Sequence, residues 1–177
     1  MLAGWKLGVT SAAVATASHS LCYSRYVPEP TDFSALLNAR LGGWNNAMGL
    51  RFTRVTTEEC IGEVAIADIH RQPYGIVHGG VHAGIIEAAC STGAAVVALA
   101  RGQSVVGVEN STSFITAVRD GTLHVVATPL TRGRRTQVWQ ATITNDAGKI
   151  CATGRVRLLC LDSNSDLAGK PVEPSET

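Results

Sequence analysis

The segment from 70 to 102 contains the side chains of this sequence that could perform chemistry together. It is polar and rich in turn-forming residues as far as Gly80, and predominantly apolar from Val81 to Ala100, where Glu87 is the one acid. Because glycine and proline are unfavourable inside a helix, the Gly79–Gly80 pair predicts that a long helix begins there. Apolar residues at nearly every later position indicate that this helix is buried on most sides. A carboxylate in such a helix must be paired or must serve chemistry.

Two further side chains of the helix bear on that chemistry. Ser91 lies four residues after Glu87, on the same helix face, and can hydrogen-bond to it. Cys90 is one turn from Glu87, but the sequence supplies no paired base that would make it a thiolate nucleophile. The glycines before the helix match neither the GxGxxG fingerprint nor the GxxxxGK[ST] loop, so nucleotide-phosphate sites are excluded.

Three histidines near the start of the helix raise the question of a metal site. His78 and His82 are four residues apart, with His70 nearby, and histidines at that spacing can share a metal. The other ligands of a zinc-protease motif are missing from the sequence. We therefore expect no metal, and we expect His78 to brace the loop before the helix through side-chain hydrogen bonds.

One basic cluster is present in the second half of the chain. Arg132, Arg134 and Arg135 surround Gly133 in a predicted turn. The cluster is either a solvated hairpin turn or a site for the phosphates of a ligand, with Thr136 as a further donor. Three arginines in one turn are too few and too local for a nucleic-acid surface.

The composition limits the class of protein. A chain of 177 residues can form one domain with a real hydrophobic core, and a net charge of +1 gives no general reason to expect a nucleic acid or a membrane as partner. Five cysteines, odd in number and scattered, indicate reduced thiols in a cytoplasmic protein. The apolar run is about as long as a membrane span. His82 and Glu87 interrupt it, so we expect the core helix of a soluble protein.

Three regions are expected along the chain. Residues 1–30 form an N-terminal extension, in which the segment 5–26 is acid-free, basic and rich in Ser and Ala. This segment resembles a weak signal or transit peptide, and a simple extension or a misassigned start is an equal alternative. Residues 31–162 form the main domain, and residues 163–177 a polar C-terminal tail.

Periodicity and turn residues predict the elements of the main domain. A short helix, a loop and a two-stranded hairpin precede the central helix, and they cover 33–41, 44–49, and 50–56 with 62–69. Four antiparallel strands follow as a meander over 104–118, 122–131, 136–144 and 149–161. The first of them should bend near 110–113 and lead into a hairpin turn at Asp120–Gly121. The fold class is therefore α+β, with one long helix wrapped by a curved antiparallel sheet.

The region from Leu41 to Leu161 resembles the hotdog-fold thioesterases of the phenylacetate-degradation type. Among them it is most similar to the 4-hydroxybenzoyl-CoA thioesterases that carry a glutamate on the central helix. The similarity is strongest in QPYGIVHGGVHAGIIEAACS, and NSTSF and RGRRTQ also look like this family. It implies an acyl-CoA thioesterase that hydrolyses an aromatic or medium-chain acyl-CoA. No cofactor is implied, because coenzyme A is part of the substrate.

The resemblance also implies roles for individual residues. Gln72 would hydrogen-bond the thioester carbonyl, and the backbone N–H of Gly79 would polarise the same oxygen. Glu87 would attack the thioester or activate water, and Ser91 stands where such relatives have a threonine that helps to hold the water or the carboxylate. The remaining substrate- and coenzyme-binding residues would be His78, Gly80, Arg134, Arg135 and Thr136.

The chemistry of hydrolysis agrees with these residue types. A thioester under attack builds negative charge on its carbonyl oxygen, and the free N–H groups and dipole of a helix N-terminus stabilise that charge. Gly79 has no Cβ and lets the carbonyl approach the backbone. Two alternatives stay open: an acyl-CoA dehydratase or hydratase on the same fold, and a non-catalytic acyl-CoA-binding module. The combination of Gln72, Gly79 and Glu87 favours hydrolysis over both.

The spacing of the two key residues predicts a site shared between chains. Glu87 lies eight residues after Gly79, which is about 12 Å along a helix. A carbonyl bound by the Gly79 N–H is therefore hard for the Glu87 of the same chain to reach. A second, antiparallel helix would bring its own Glu87 there. The resemblance implies the same arrangement, a homodimer with shared active sites and joined sheets, and further pairing into a homotetramer.

Overall fold

The computed structural model describes residues 29–171. Its helices are α1 (Ser34–Asn38), α2 (Gly43–Ala47) and α3 (Gly79–Leu99), with a 3-10 turn at Asp68–His70. Its strands are β1 (Arg51–Val55), β2 (Cys60–Ala65), β3 (Gln103–Phe114), β4 (Thr122–Arg132), β5 (Thr136–Thr144), β6 (Ile150–Asp162), β7 (Asp166–Leu167) and β8 (Lys170–Pro171). The predicted N-terminal extension falls almost wholly outside the described residues, as do the last six residues of the tail.

The long helix α3 packs against a six-stranded antiparallel sheet, and this confirms the predicted α+β class. The strand order is β1-β2-β4-β5-β6-β3, and α3 contacts five of the six strands. Although α3 is long and apolar enough to cross a bilayer, eleven of its residues are buried inside the protein. It is therefore the core helix of the fold, as the sequence predicted.

Contacts with β5 fix the C-terminal half of α3. Gly93 touches the buried indole of Trp139 so closely that a Cβ at residue 93 would lie 2.5 Å from the ring. The fully buried Gln137 donates from Nε2 to the carbonyl oxygen of Ala94 at 3.1 Å and accepts from Trp139 Nε1 at 3.1 Å. A buried amide with both ends bonded orients its neighbours without leaving a polar group unpaired. The position of Glu87 relative to the sheet follows from this anchoring.

The predicted four-stranded meander is wrong in one strand. Strands β4, β5 and β6 do form a meander, but β3 pairs with β6 at the edge of the sheet, and β4 pairs with β2. The turn at Asp120–Gly121 therefore joins two strands that are not neighbours and is not a hairpin. Alternating polarity identifies a strand and its inner face, whereas its partner depends on which edge remains free when the sheet closes over α3.

Several boundaries also differ from the prediction. The expected loop at 44–49 contains α2, whose Trp44 packs against Gly84 of α3; this tertiary contact is invisible to local periodicity. The predicted hairpin before α3 is confirmed, but β2 ends at Ala65. Strand β3 ends at Phe114, and its irregularity is a bulge between Gly107 and Glu109 rather than a bend near 110–113.

Candidate active site

The N-terminus of α3 presents one unbonded backbone donor. The helix begins at Gly79, as predicted, and His78 is its N-cap. The Nδ1 atom of His78 accepts the Gly80 N–H at 2.8 Å, and the carbonyl oxygen of His78 accepts the Val81 N–H at 2.9 Å. Among the described residues the Gly79 N–H has no partner. His78 thus satisfies the Gly80 and Val81 N–H groups and leaves the Gly79 N–H for a ligand.

A cavity of about 440 Å³ opens in front of this donor. It is lined by the loop before α3, the first turns of α3, and residues 114–117, which are the last residue of β3 and the segment that follows it. Of the residues with predicted roles, the cavity brings together Gln72, His78, Gly79 and Gly80. Glu87 is not among its lining residues. The two halves of the predicted site therefore do not meet within one chain.

The loop that carries Gln72 is closed by its own backbone. The Gln72 N–H donates to the carbonyl oxygen of Ile76 at 2.9 Å, and the Gln72 carbonyl oxygen accepts the Gly75 N–H at 2.8 Å. Gly75 has a φ of 72°, a left-handed conformation that favours glycine. This tight turn fixes the Gln72 backbone beside the start of α3, which places its side chain at the cavity.

The carboxylate of Glu87 lies in a separate cluster near the middle of α3. Its Oε1 accepts from Ser91 Oγ at 3.1 Å and its Oε2 accepts from Asn110 Nδ2 at 3.0 Å. Gly107 of β3 lies directly against it, since a Cβ at residue 107 would fall 2.2 Å from Oε1. No arginine pairs with Glu87 among residues 29–171. The acid is held in one orientation by neutral donors.

The bulge in β3 explains why two residues of that strand reach Glu87. Gly107 pairs with Leu158 and Asn110 pairs with Val156, and both partners are inward-facing residues of β6. Positions three apart on a regular strand point to opposite faces. The extra residue, Val108, shifts this alternation so that both face the helix.

Asn110 is itself oriented by a neighbour on its own strand. Thr112 Oγ1 donates to Asn110 Oδ1 at 2.6 Å. The amide nitrogen of Asn110 is thereby directed to the helix, where it donates to Glu87 and to the carbonyl oxygen of Ala83 at 3.1 Å. A chain of hydrogen bonds from Thr112 through Asn110 thus fixes the carboxylate, and such networks preorganise a reactive group.

The arginine turn lies at the other end of α3. Arg101 donates to the carbonyl oxygens of Arg132 and Gly133 at 3.3 Å. Arg132 is also bonded to Glu58 at 2.6 Å, and this contact lowers the pKa of the Glu58 carboxyl. Arg134 and Arg135 are exposed and form no ion pair in the described part of the chain. Arg101 and Arg132 therefore hold the turn in place, and Arg134 and Arg135 remain available to bind an anion.

Thiol and metal chemistry find no support in this geometry. Burial raises the pKa of the Cys90 thiol to about 12, with a smaller contribution from the nearby charge of Glu87. The thiol is therefore protonated at neutral pH and is not a nucleophile. Within residues 29–171 no three His, Cys, Asp or Glu side chains come together in a way that could hold a metal ion.

Comparison with known proteins decides the family. The sequence profile of the thioesterase superfamily matches residues 74–152. A Mycobacterium tuberculosis protein named as an esterase is 36% identical to this chain over 138 residues. The match covers 77% of this chain and 97% of that protein. The chain belongs to the thioesterase superfamily. A proofreading thioesterase, EntH of Cronobacter sakazakii, is 32% identical over 122 residues, or 69% of this chain and 88% of that enzyme.

Solved structures of this superfamily share the fold. The Mycobacterium tuberculosis protein superposes with a TM-score of 0.67 at 36% identity and covers 69% of this chain and 98% of its own. A thioesterase of Haemophilus influenzae superposes with a TM-score of 0.68 at 25% identity and covers 75% and 90% of the two chains. The present thioesterase is therefore a hotdog-fold thioester hydrolase, as its sequence motifs implied.

The sequence analysis assigned no role in the site to four residues that line the cavity, lie beside Glu87 or lie behind the arginine turn. They are His82 in the cavity wall, Gly107 and Asn110 beside Glu87, and Arg101 behind the arginine turn. NSTSF was recognised as a family-like segment, but its spacing from Glu87 along the chain carries no information about contact. Only the pairing of β3 with β6 and the bulge bring its asparagine to the acid.

Proposed function

We propose that this thioesterase hydrolyses an aromatic or medium-chain acyl-CoA to the carboxylic acid and free coenzyme A, with Glu87 as base or nucleophile. The observation that carries the proposal is that one helix provides both an unbonded Gly79 N–H at its N-terminus and, in its middle, a carboxylate whose two oxygens are both oriented. Family membership supports thioester hydrolysis in general. The finer likeness to glutamate-bearing 4-hydroxybenzoyl-CoA thioesterases of the phenylacetate-degradation type is part of the proposal.

The proposed reaction forms one C–O bond and breaks one C–S bond. The Gly79 N–H and the Gln72 amide donate to the carbonyl oxygen and stabilise the charge that develops there. Glu87, assisted by Ser91, takes a proton from the water whose oxygen attacks the carbonyl carbon. The tetrahedral intermediate expels the coenzyme A thiolate, which takes up the proton. In the nucleophilic alternative Glu87 first forms an acyl anhydride, which water then hydrolyses.

We further propose that each site is shared between two chains. Gly79 and Glu87 are about 12 Å apart along α3, and Glu87 does not line the cavity in front of Gly79. Strand β3 occupies an edge of the sheet, carries the exposed apolar residues Val108 and Phe114, and is followed by the exposed Ile115. An open edge of twelve residues invites pairing with another strand. A second copy, paired there with its α3 antiparallel, would deliver the partner's Glu87 to the cavity; pairs of such dimers would form the homotetramer.

The arginine turn fits the same arrangement. Along α3 the turn at Arg101 lies about 33 Å from Gly79 but only about 21 Å from Glu87. A substrate held at Gly79 of one chain and attacked by the partner's Glu87 would therefore lie nearer to the partner's arginine turn. We assign the coenzyme A phosphates to Arg134 and Arg135 with Thr136, and the loop contacts to His78 and Gly80.

The side chains also bear on the compartment in which the enzyme works and on whether it uses a cofactor. The four described cysteines are free and buried, which suits a reducing compartment such as the cytoplasm. The mechanism needs only protein groups, water and the substrate, so no cofactor or metal enters it.

A hydrolysis screen tests the proposed function. Purified protein is supplied with aromatic, short-, medium- and long-chain acyl-CoA substrates, and the released thiol is measured. We expect turnover of at least one aromatic or medium-chain substrate, and a loss of roughly a thousandfold in Glu87→Gln without loss of fold. Glu63→Gln, the same change at an acid paired with Arg51 on the sheet surface, should stay near wild type. Glu87→Gln activity above about a few per cent of wild type would contradict the role of Glu87.

A further inference from the structure

His82 is a buried side chain with an unpaired ring nitrogen. It is 4% exposed, and its Nδ1 atom has no hydrogen-bond partner within residues 29–171. The only other buried side-chain atom in this state among residues 29–171 is Oε1 of Gln103, whose Nε2 still donates to Asp162 at 2.9 Å. Leaving a buried polar group unpaired costs free energy, and native structures contain few such groups. The unpaired ring therefore needs a reason.

A second histidine shows how this fold satisfies a buried ring. His70 is also 4% exposed, yet its Nδ1 accepts the Ala67 N–H at 2.9 Å and its Nε2 lies 3.1 Å from the carbonyl oxygen of Met48. Both contacts hold the 3-10 turn in place. His70 has a structural role that is complete within the chain, whereas His82 has none.

The position of His82 suggests what it meets. It lies three residues after Gly79, on the same face of α3, and side chains at that spacing are about 5–6 Å apart. It lines the cavity together with Gln72 and Gly79, and its ring packs at a tilt against Phe114 with centroids 6.2 Å apart. Among the described residues of one chain, no carboxylate lines this cavity. The unpaired ring is thus one helical turn deeper than the donor that would bind the thioester carbonyl.

We infer that His82 recognises a hydroxyl group on the acyl chain, close to the thioester carbonyl. This rests on the proposed function, because it treats the cavity as the acyl site. Burial lowers the pKa of the His82 ring, so the ring is neutral at physiological pH. A neutral imidazole has one donor and one acceptor nitrogen, and a hydroxyl can pair with either. The spacing selects hydroxyls on the carbon two bonds from the carbonyl carbon, as in 2-hydroxyaroyl or 3-hydroxyacyl thioesters, over plain hydrocarbon chains.

Substrate pairs of equal shape test this selection. The coenzyme A thioesters of 2-hydroxybenzoate and 2-methylbenzoate differ only in hydroxyl against methyl, and those of 3-hydroxybutanoate and 3-methylbutanoate form an aliphatic pair. The quantity measured is the ratio of kcat/KM for the hydroxyl compound to that for its methyl isostere. In the wild-type enzyme we expect this ratio to be at least about tenfold in one pair.

Two variants connect the ratio to His82. His82→Phe keeps an aromatic ring and removes both nitrogens, so the ratio should fall to about one or below. His82→Asn keeps a polar atom near the position of Nδ1 and should restore part of it. A wild-type ratio near one in both pairs overturns the inference without any variant. A high ratio that survives in His82→Phe overturns it as well.

Binding separates this test from that of the proposed function. The same thioesters are titrated calorimetrically into Glu87→Gln protein with and without His82→Phe. A protein that hydrolyses no acyl-CoA would refute the proposed function, and the ratio of Kd values would still decide the role of His82. Equal Kd values for hydroxyl and methyl compounds in the His82-containing protein would refute the inference even if hydrolysis is observed.

Discussion

The N-terminus of α3 and its middle differ in how far their polar groups are satisfied. At the N-terminus the Gly79 N–H and the His82 ring have no partners within the described residues, and a cavity lies in front of them. In the middle both oxygens of Glu87 are bonded, and Gly107 is pressed against the carboxylate. The described part of one chain therefore contains a carboxylate whose oxygens are both hydrogen-bonded and a cavity whose donor groups have no partner. They lie about 12 Å apart along the helix, and this separation is the basis of the proposal that a second chain completes the site.

The two regions also use glycine differently. Gly79 lies under the ring of Phe114, an exposed side chain that can move, and a Cβ there would come within 2.8 Å of it. Gly107 lies under a carboxylate that two hydrogen bonds hold in place. Space at the donor pocket is adjustable, whereas space at the acid is not. Changes at the acid cluster should accordingly be the more damaging ones.

The largest expected effect is the recovery of activity when two inactive variants are combined in one dimer. Glu87→Ala and Gln72→Ala proteins, each nearly inactive, are unfolded and refolded together. If sites are shared, a mixed dimer has one intact site, and an equal mixture should recover about one quarter of wild-type activity. Refolding each variant alone is the control. Absence of recovery in mixtures shown by mass spectrometry to contain mixed dimers would place all catalytic groups on one chain.

A smaller effect is expected from crowding the acid. Gly107→Ala puts a Cβ where Oε1 of Glu87 now lies, so the carboxylate must shift. A shift of about 1 Å in a catalytic group can cost roughly a hundredfold, and we expect kcat to fall about 10- to 100-fold with little change in KM. Gly42→Ala is the matched control, because nothing lies within 4 Å of the added carbon. If kcat in Gly107→Ala matched that control, the acid would not need its present position.

The smallest effect should come from the arginine turn. Replacing Arg134 and Arg135 by Ala removes two exposed cations while Arg101 and Arg132 still pin the turn. We expect KM for acyl-CoA to rise several-fold with kcat nearly unchanged, since exposed ionic contacts are individually weak. The corresponding acyl-pantetheine thioester, which lacks the nucleotide phosphates, should be unaffected. Equal losses on both substrates would count against a phosphate contact.

Much of the fold and half of the candidate site's geometry were predictable because they depend on local pattern. The Gly79–Gly80 pair marks the start of α3, and the apolar run identifies it as the core helix. The four-residue spacing brings Ser91 onto Glu87, as the 3.1 Å contact shows. The family motif is also local, and it indicated a thioesterase from the sequence alone.

The rest depended on contacts between residues far apart in sequence. Nothing in the pattern of β3 reveals that it pairs with β6, or that an extra residue at Val108 turns both Gly107 and Asn110 towards Glu87. The meander prediction failed for the same reason, because alternation records which face of a strand is buried and not which strand lies beside it.

The sequence by itself determined the helix, its acid and its donor, since helical geometry converts spacing directly into position. Only the tertiary structure decided which polar groups are satisfied. His70 and His82 are the same residue type, twelve positions apart and equally buried, yet one is fully bonded and the other is not. That difference arises from what the folded chain places around each ring, because hydrogen bonding requires partners at fixed distances and angles in space.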